Sequence, residues 1–231
     1  MFDDMQVEGY PNNTPRIPLS ARLREGTADV HDAAERSRFM TALLGDETPL
    51  ALDSYVQLLG QYLPIYTALE RAAATHRHAP EIATLAPAAL DRAAAVIADL
   101  VALGGTDWAT KVTITSATTD YVARIEAATA WPGGFVAHHY VRYLGDLSGG
   151  QIIRRILRRR LGQDDDRGLS FYVFDQIDNG VQFKKAYREQ LDAVAWSDAD
   201  VERIVGEARA AFELNLGVFV SLEPSADALA G

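Results

Sequence analysis

The 231-residue chain contains no cysteine. That excludes disulfides, thiolate metal centres and cysteine nucleophiles, and it suits a reducing compartment. Basic charge is also scarce: 22 Lys and Arg stand against 32 Asp and Glu, a formal net charge of −10. So acidic a chain is poorly suited to neutralise phosphates, so non-specific nucleic-acid binding is not expected. No run approaches the roughly 20 apolar residues of a membrane span. Residues 1–18 carry Asp3, Asp4 and Glu8 with no apolar centre, which does not read as a secretory signal. The expected address is the cytoplasm, with neither nucleic acid nor membrane as partner.

What is present points to helices. Hydrophobic residues make up 48% of the chain and charged residues 23%, an ordinary globular balance. Alanine is abundant and β-branched residues are scattered, which favours helix. Apolar or small positions Leu23, Thr27, Val30 and Ala34 recur at helical spacing, predicting a first helix from a Ser20 cap to about Leu44, where Gly45 ends it. A second helix is predicted over 52–76, kinked at Pro64. Alanine-rich stretches 81–103 and 107–130 predict two more, separated by Gly104-Gly105. Pro132-Gly133-Gly134 precedes a helix from about Phe135 to Leu161. Helices near 181–193 and 198–221 follow, the last with Ser197 and Asp200 placed as a capping box. The expected fold is therefore all-α, a single helical domain over 19–221 between an N-terminal arm (1–18) and a C-terminal tail (222–231).

Several residues on this frame carry chemistry. His31 lies four residues after Thr27, which predicts a place on the buried side of helix one, and Glu35 follows one turn later. A metal-ligating imidazole is usually oriented by an acceptor at its other nitrogen, which Glu35 could supply. A core histidine with a helical hydrogen bond remains the competing reading. The stretch Tyr140 to Gln151 (YVRYLGDLSGGQ) places Gly145, Gly149 and Gly150 inside a helical pattern. Each interior glycine costs about 1 kcal/mol relative to alanine. Gly145 and Gly149, four apart, leave a bare backbone strip on which either a helix or a flat ligand packs. Asp146 sits beside the strip, and Arg142 one turn earlier suits an i,i+4 ion pair. Arg24, Lys184 and Arg188 are cations, the last two within reach of one anion. Phe212 and Asn215 are three apart on the last helix.

These segments resemble heme oxygenases. Tyr140–Gln151 is similar to the distal-helix signature of that family, and Leu19–Met40 (LSARLREGTADVHDAAERSRFM) to its proximal helix. FKKAYR at 183–188 and AFELN at 211–215 match in the same order, so the resemblance spans roughly 19–221. It implies a heme b held between proximal and distal helices as cofactor and substrate together, with O2 as co-substrate. His31 would be the iron ligand, supported by Glu35. Gly145 and Gly149 would let the distal helix approach the heme. Tyr66, Arg142 and Asp146 would hold a water network beside the oxygen. Arg24, Lys184, Arg188 and Tyr140, with Ser148 close by, would hold the propionates, and Phe212 and Asn215 would line the buried edge. The implied reaction takes heme, O2 and electrons to biliverdin, carbon monoxide and ferrous iron.

No flavin or nucleotide fingerprint is present, so electrons would come from a ferredoxin or a reductase. The basic cluster Arg154, Arg155, Arg158, Arg159 and Arg160 is a docking candidate, unless Asp164–Asp166 neutralises it. Arg24 stands where relatives often carry lysine; Val141 and His139 replace a threonine and an alanine of the animal enzymes, and His139 is a rival histidine. The animal enzymes' C-terminal membrane tail is missing, which suggests a soluble bacterial member serving iron acquisition. Two other readings remain. A heme-sequestering protein on this scaffold would need His31 and the cations but not Asp146. A di-iron carboxylate enzyme would need Glu-x-x-His pairs, and the sequence has none.

Overall fold

Two long helices set the frame of the computed structural model, which describes residues 16–45, 52–79 and 82–223. The first, α4 (Leu52–His76), buries Tyr55, Leu58, Leu59, Tyr62, Ile65, Tyr66 and Leu69 at three- and four-residue spacing. It runs unbroken through Pro64. The second, α12 (Asp198–Ser221), opens on the predicted capping box: the Ser197 hydroxyl accepts from the Asp200 N–H, and the Asp200 carboxylate accepts from Ser197. Between them pack α7 (Ser116–Ala128) and α8 (Pro132–His139), while α5 (Ala93–Gly104) lies against α4. The described residues contain no strand, and their buried apolar side chains join in one core cluster.

The first expected helix is three pieces: α1 (Leu19–Gly26), α2 (Ala28–Glu35) and α3 (Arg38–Leu44). The break at Thr27 has a local cause and a long-range one. Its hydroxyl donates to the Leu23 carbonyl at 2.7 Å, a competition with the backbone ladder that bends helices. Arg209 of α12 donates to the Gly26 carbonyl at 2.7 Å. The Val205 side chain of α12 presses so closely there that a Cβ on Gly26 would lie 2.5 Å from its Cγ1. Ser37 then restarts the helix, accepting from Met40 N–H. Ser20 does not cap α1, which begins one residue earlier; its N–H and hydroxyl both donate to Asp192 of α11 (Gly180–Ala193), each at 2.7 Å.

Prolines and β-branched residues shorten two other expected helices. Residues 81–103 are helical only from Ala93, preceded by short 3-10 turns on either side of Pro87. Residues 107–130 split into α6 (Trp108–Lys111) and α7, joined by the Val112–Thr115 link. Gln61, fully buried in α4, holds that link by donating to the Thr113 carbonyl and accepting from Thr115 N–H, both at 3.0 Å. The expected helix from Phe135 becomes α8, a π-helical turn at Tyr140–Leu144, α9 (Gly145–Ser148) and α10 (Gly150–Arg160). Most of the expected arm and tail lie outside the described residues. Among the described residues no helix is long and apolar enough to cross a membrane.

Candidate functional site

A slot of about 250 Å³ opens between the broken α1–α2 pair and the stretch from Tyr140 to Ser148. Its proximal wall is Arg24, Thr27, Ala28, His31 and Asp32; its distal wall is Tyr140, Val141, Leu144, Gly145 and Ser148, with Arg188 and Phe212 closing the ends. The His31 side chain is 46% exposed, so it does not lie in the core as its spacing predicted. Leu23 and Thr27 are buried, but the break at Thr27 turns the next helical turn out along the slot. The imidazole meets Phe212 edge-on, 5.4 Å between centroids. Glu35 stands 3.7 Å from Nε2 and Asp32 3.9 Å from Nδ1, close enough for ion pairing but not for hydrogen bonds.

Opposite His31 the backbone is bare. A Cβ built on Gly145 would meet nothing within 4 Å, so this glycine faces open slot. Gly149 does not line it; a Cβ there would lie 3.6 Å from the Gly145 carbonyl. Gly150 faces inward, where its Cβ would press Tyr172 at 3.1 Å. The three glycines therefore differ: Gly145 faces the slot, Gly149 packs on the Gly145 carbonyl and Gly150 lies against the core.

Behind Gly145 lies a buried polar network. Tyr66 donates its hydroxyl proton to Asp146 Oδ2. Arg142 donates to the same Tyr66 oxygen through Nε at 3.1 Å and Nη2 at 2.9 Å, and through Nη1 to the Asn215 side-chain carbonyl. The guanidinium also lies 4.6 Å above the Tyr62 ring and 4.9 Å above the Tyr66 ring. The expected direct Arg142–Asp146 pair is therefore replaced by a bridge through Tyr66. The π-helical turn containing Arg142 changes the one-turn register that a simple i,i+4 pair needs, and Tyr66 enters from α4. Burial pushes the Asp146 carboxyl above its usual range, against the pull of Arg142 and the Tyr66 hydroxyl.

Cations gather at one end. Arg24 and Arg188 line the slot, and their charges oppose the burial that raises the Tyr140 phenol. Lys184 donates to Ser148 Oγ at 3.1 Å and to the Leu147 carbonyl at 3.3 Å, tying α11 to α9. Burial, then the charge of Arg188, draws its ammonium below the ordinary lysine range. His139 is no rival at the slot. It is buried, shares a 2.9 Å hydrogen bond with the Tyr187 hydroxyl and stacks on that ring; burial holds it neutral, down to about 3.

The basic cluster is partly neutralised, as its neighbouring acids predicted. Arg154 makes a two-pronged pair with Asp166, and Arg158 lies 4.0 Å from the same carboxylate. Arg155 is exposed and has no ion pair among the described residues. The sequence reading missed Asp32 at the slot rim and the Tyr62 ring under Arg142. Asp32 falls four residues after Ala28 on the slot side of α2, a signal that spacing does carry.

An all-helical protein with an imidazole on one side of a slot and a bare glycine backed by a partly buried carboxylate on the other suits a flat, metal-bearing ligand. Comparison with known proteins identifies which. The Heme oxygenase family model matches residues 17–221. The heme oxygenase of Porphyra purpurea is 37% identical over 208 residues, covering 90% of this chain and 87% of that one. Heme oxygenase 2 of Mus musculus is 36% identical over 222 residues, covering 95% and 70%. The crystal structure of heme oxygenase-1 from Synechocystis sp. PCC 6803 in complex with heme superposes with a TM-score of 0.83 at 36% identity, covering 90% of this chain and 93% of that one. The chain belongs to the heme oxygenase family.

Proposed function

We propose that this protein binds heme b in the slot and opens it with O2 and electrons to biliverdin, carbon monoxide and ferrous iron. The observation that carries the reading is the arrangement across the slot. The His31 imidazole faces the bare Gly145 backbone, and behind that backbone Asp146 is held by Tyr66, which Arg142 holds in turn. The residues fit the ligand: Gly145 leaves space for a flat face, His31 is accessible, and Arg24, Arg188 and Lys184 gather at one end for the propionates. At about 250 Å³ the slot is slightly below the usual range for ligand pockets, so α9 would yield as heme enters.

When bound, heme supplies the iron at which O2 reacts and the ring carbon that is oxidised. His31 would ligate that iron, with Glu35, 3.7 Å from the ring, orienting the imidazole. Tyr140, Ser148 and the three cations would hold the propionates, and Phe212 would pack against the edge. Arg142 can only donate, so the Tyr66 oxygen accepts from it and the single Tyr66 proton goes to Asp146 Oδ2. That leaves Asp146 Oδ1 to hold a proton and exchange it with water in the slot. The raised carboxyl pKa brings this exchange closer to neutral pH. Asn215 fixes the far end of the guanidinium. The buried histidines, His138 and His139, do not line the slot, so a peroxidase-like proton delivery is not built in.

Electrons would arrive from a ferredoxin or a reductase docking near Arg154, Arg155 and Arg158. The cysteine-free composition supports a cytoplasmic role, which we assign to the acquisition of iron from heme. The test adds hemin to purified protein, then reductant under air, and follows the spectrum. A heme absorption band that gives way to a biliverdin band in the wild type, with both lost in His31→Ala, is the expected result. A stable complex with no ring opening would overturn the enzymatic reading.

A further inference from the structure

One group at the slot rim is not needed to hold heme. Asp32 follows His31 directly in α2, and Glu35 follows one turn later. One ligand atom from each of the three lies within 4.8 Å of the others, the only such cluster of metal-binding side chains among the described residues. Metal bonds of about 2.1 Å keep paired ligand atoms within about 4.2 Å, so small side-chain rotations close the group around an ion. Imidazole with two carboxylates suits a divalent first-row metal such as ferrous iron.

The surroundings leave this group available. Asp29, one turn before Asp32 on the same helix, is committed to Arg209 by two hydrogen bonds of 2.6 and 2.9 Å. Among the described residues Glu35 has no Lys or Arg partner, only His31. Asp32 has a loose contact with Arg36 at 3.8 Å, both side chains being largely exposed, and such a pair contributes little. The cations of the slot lie with Arg24 and Arg188, while Asp32 and Glu35 reach solvent, with side chains 60% and 65% exposed. The group thus spans the wall of the slot and the open surface.

We infer that His31, Asp32 and Glu35 form an exit site for the ferrous ion released by ring opening. The inference rests on the heme reading above, which puts iron on His31. There the imidazole keeps its bond while the ionised carboxylates of Asp32 and Glu35 replace the nitrogens of the opened tetrapyrrole, which take up protons from solvent water. No electron moves in this exchange. Three ligands on one exposed turn leave the remaining positions to water, which suits passing an ion on rather than storing it.

The test uses the untagged, full-length, heme-free protein with Co(II) as the probe, followed by calorimetry and visible absorption. Wild type should bind one equivalent, Asp32→Asn should bind at least roughly tenfold more weakly, and hemin-loaded protein should not bind, because His31 is then committed. A wild type that takes up no Co(II), or an Asp32→Asn that binds it as tightly, overturns the proposal. In single turnover with a ferrous chelator present, Asp32→Asn should lengthen the delay between ring opening and appearance of ferrous ion; an unchanged delay also overturns it. Failure of the heme reading would show separately, as a hemin spectrum indifferent to His31→Ala.

Discussion

The two walls of the slot are built in opposite ways. The proximal wall is three short helices with breaks at Thr27 and Ser37, and its key side chains His31, Asp32 and Glu35 are half-exposed. The distal wall is nearly continuous and mostly buried, with Val141, Arg142, Tyr143 and Leu144 all sheltered inside the π-helical turn. The difference separates two tasks. An exposed imidazole on a short helix can adjust to an incoming metal and release it. A carboxylate that must exchange protons at a fixed point is held by groups that cannot move, here Tyr66 on α4 and Arg142 locked to Asn215 on α12. A π-turn is a common device at such functional positions, re-aiming side chains that a regular helix would misplace.

The largest expected effect breaks the distal wall alone. Asp146→Asn keeps the shape and one hydrogen bond to Tyr66 but cannot exchange a proton. Ring opening should fall by about 10²- to 10⁴-fold, the usual contribution of general acid–base catalysis, while hemin affinity changes little. Single-turnover spectra against hemin titrations separate the two. A variant that loses affinity as much as rate would mean that Asp146 supports the slot rather than the chemistry.

The distal wall should also be the acid-sensitive one. His139 lies just before the π-turn, and burial lowers its pKa from the ordinary 6.5 to about 3. The folded state keeps it neutral, whereas the unfolded chain takes up a proton below about 6.5. Stability is therefore fully present above pH 6.5 and is lost progressively as pH falls towards 3, a loss on the order of a few kcal/mol. Chemical denaturation between pH 7 and 4 should show this slope, and His139→Gln, which does not titrate, should flatten it. Glu207 adds a second loss at lower pH. Despite its burial, hydrogen bonds from His138 and Arg124 draw its carboxyl to about 2, so its contribution is present above 4.5 and disappears as pH falls towards 2.

A smaller effect tests what Gly145 is for. Its added Cβ meets nothing within 4 Å, so Gly145→Ala should leave the heme-free protein as stable or up to about 1 kcal/mol more stable. If the bare strip is there to receive a ligand, the same methyl should weaken hemin binding. Thermal melts with and without hemin provide the check: the melting temperature without ligand holds or rises, while the ligand-induced increase shrinks.

How far these features were legible in the sequence follows from the range of the interactions. The α4 boundaries and the α12 capping box were readable because both are set within one or two turns. The glycine pattern marked the distal wall for the same reason. The break at Thr27 was not readable, because it depends on Arg209 and Val205 reaching over from α12. Nor was the Tyr66 bridge: spacing alone favoured a direct Arg142–Asp146 pair, and only the π-turn and the docking of α4 undo it. His139 looked like a rival ligand until packing placed it against Tyr187. Local rules located the site; long-range packing decided which atoms meet within it.

The smallest effect lies outside both walls, on α10. Arg154 is committed to Asp166 and Arg158 leans on the same carboxylate, but Arg155 projects into solvent without an ion pair among the described residues. If an acidic electron donor docks here, Arg155 is the cation whose reversal costs the fold least. Arg155→Glu should raise the donor concentration needed for half-maximal turnover several-fold at low salt, with the gap closing as ionic strength rises, since rim charges act mainly on encounter. Hemin affinity should not change, because the residue does not line the slot. A donor dependence identical to wild type at low salt would move the docking face off α10.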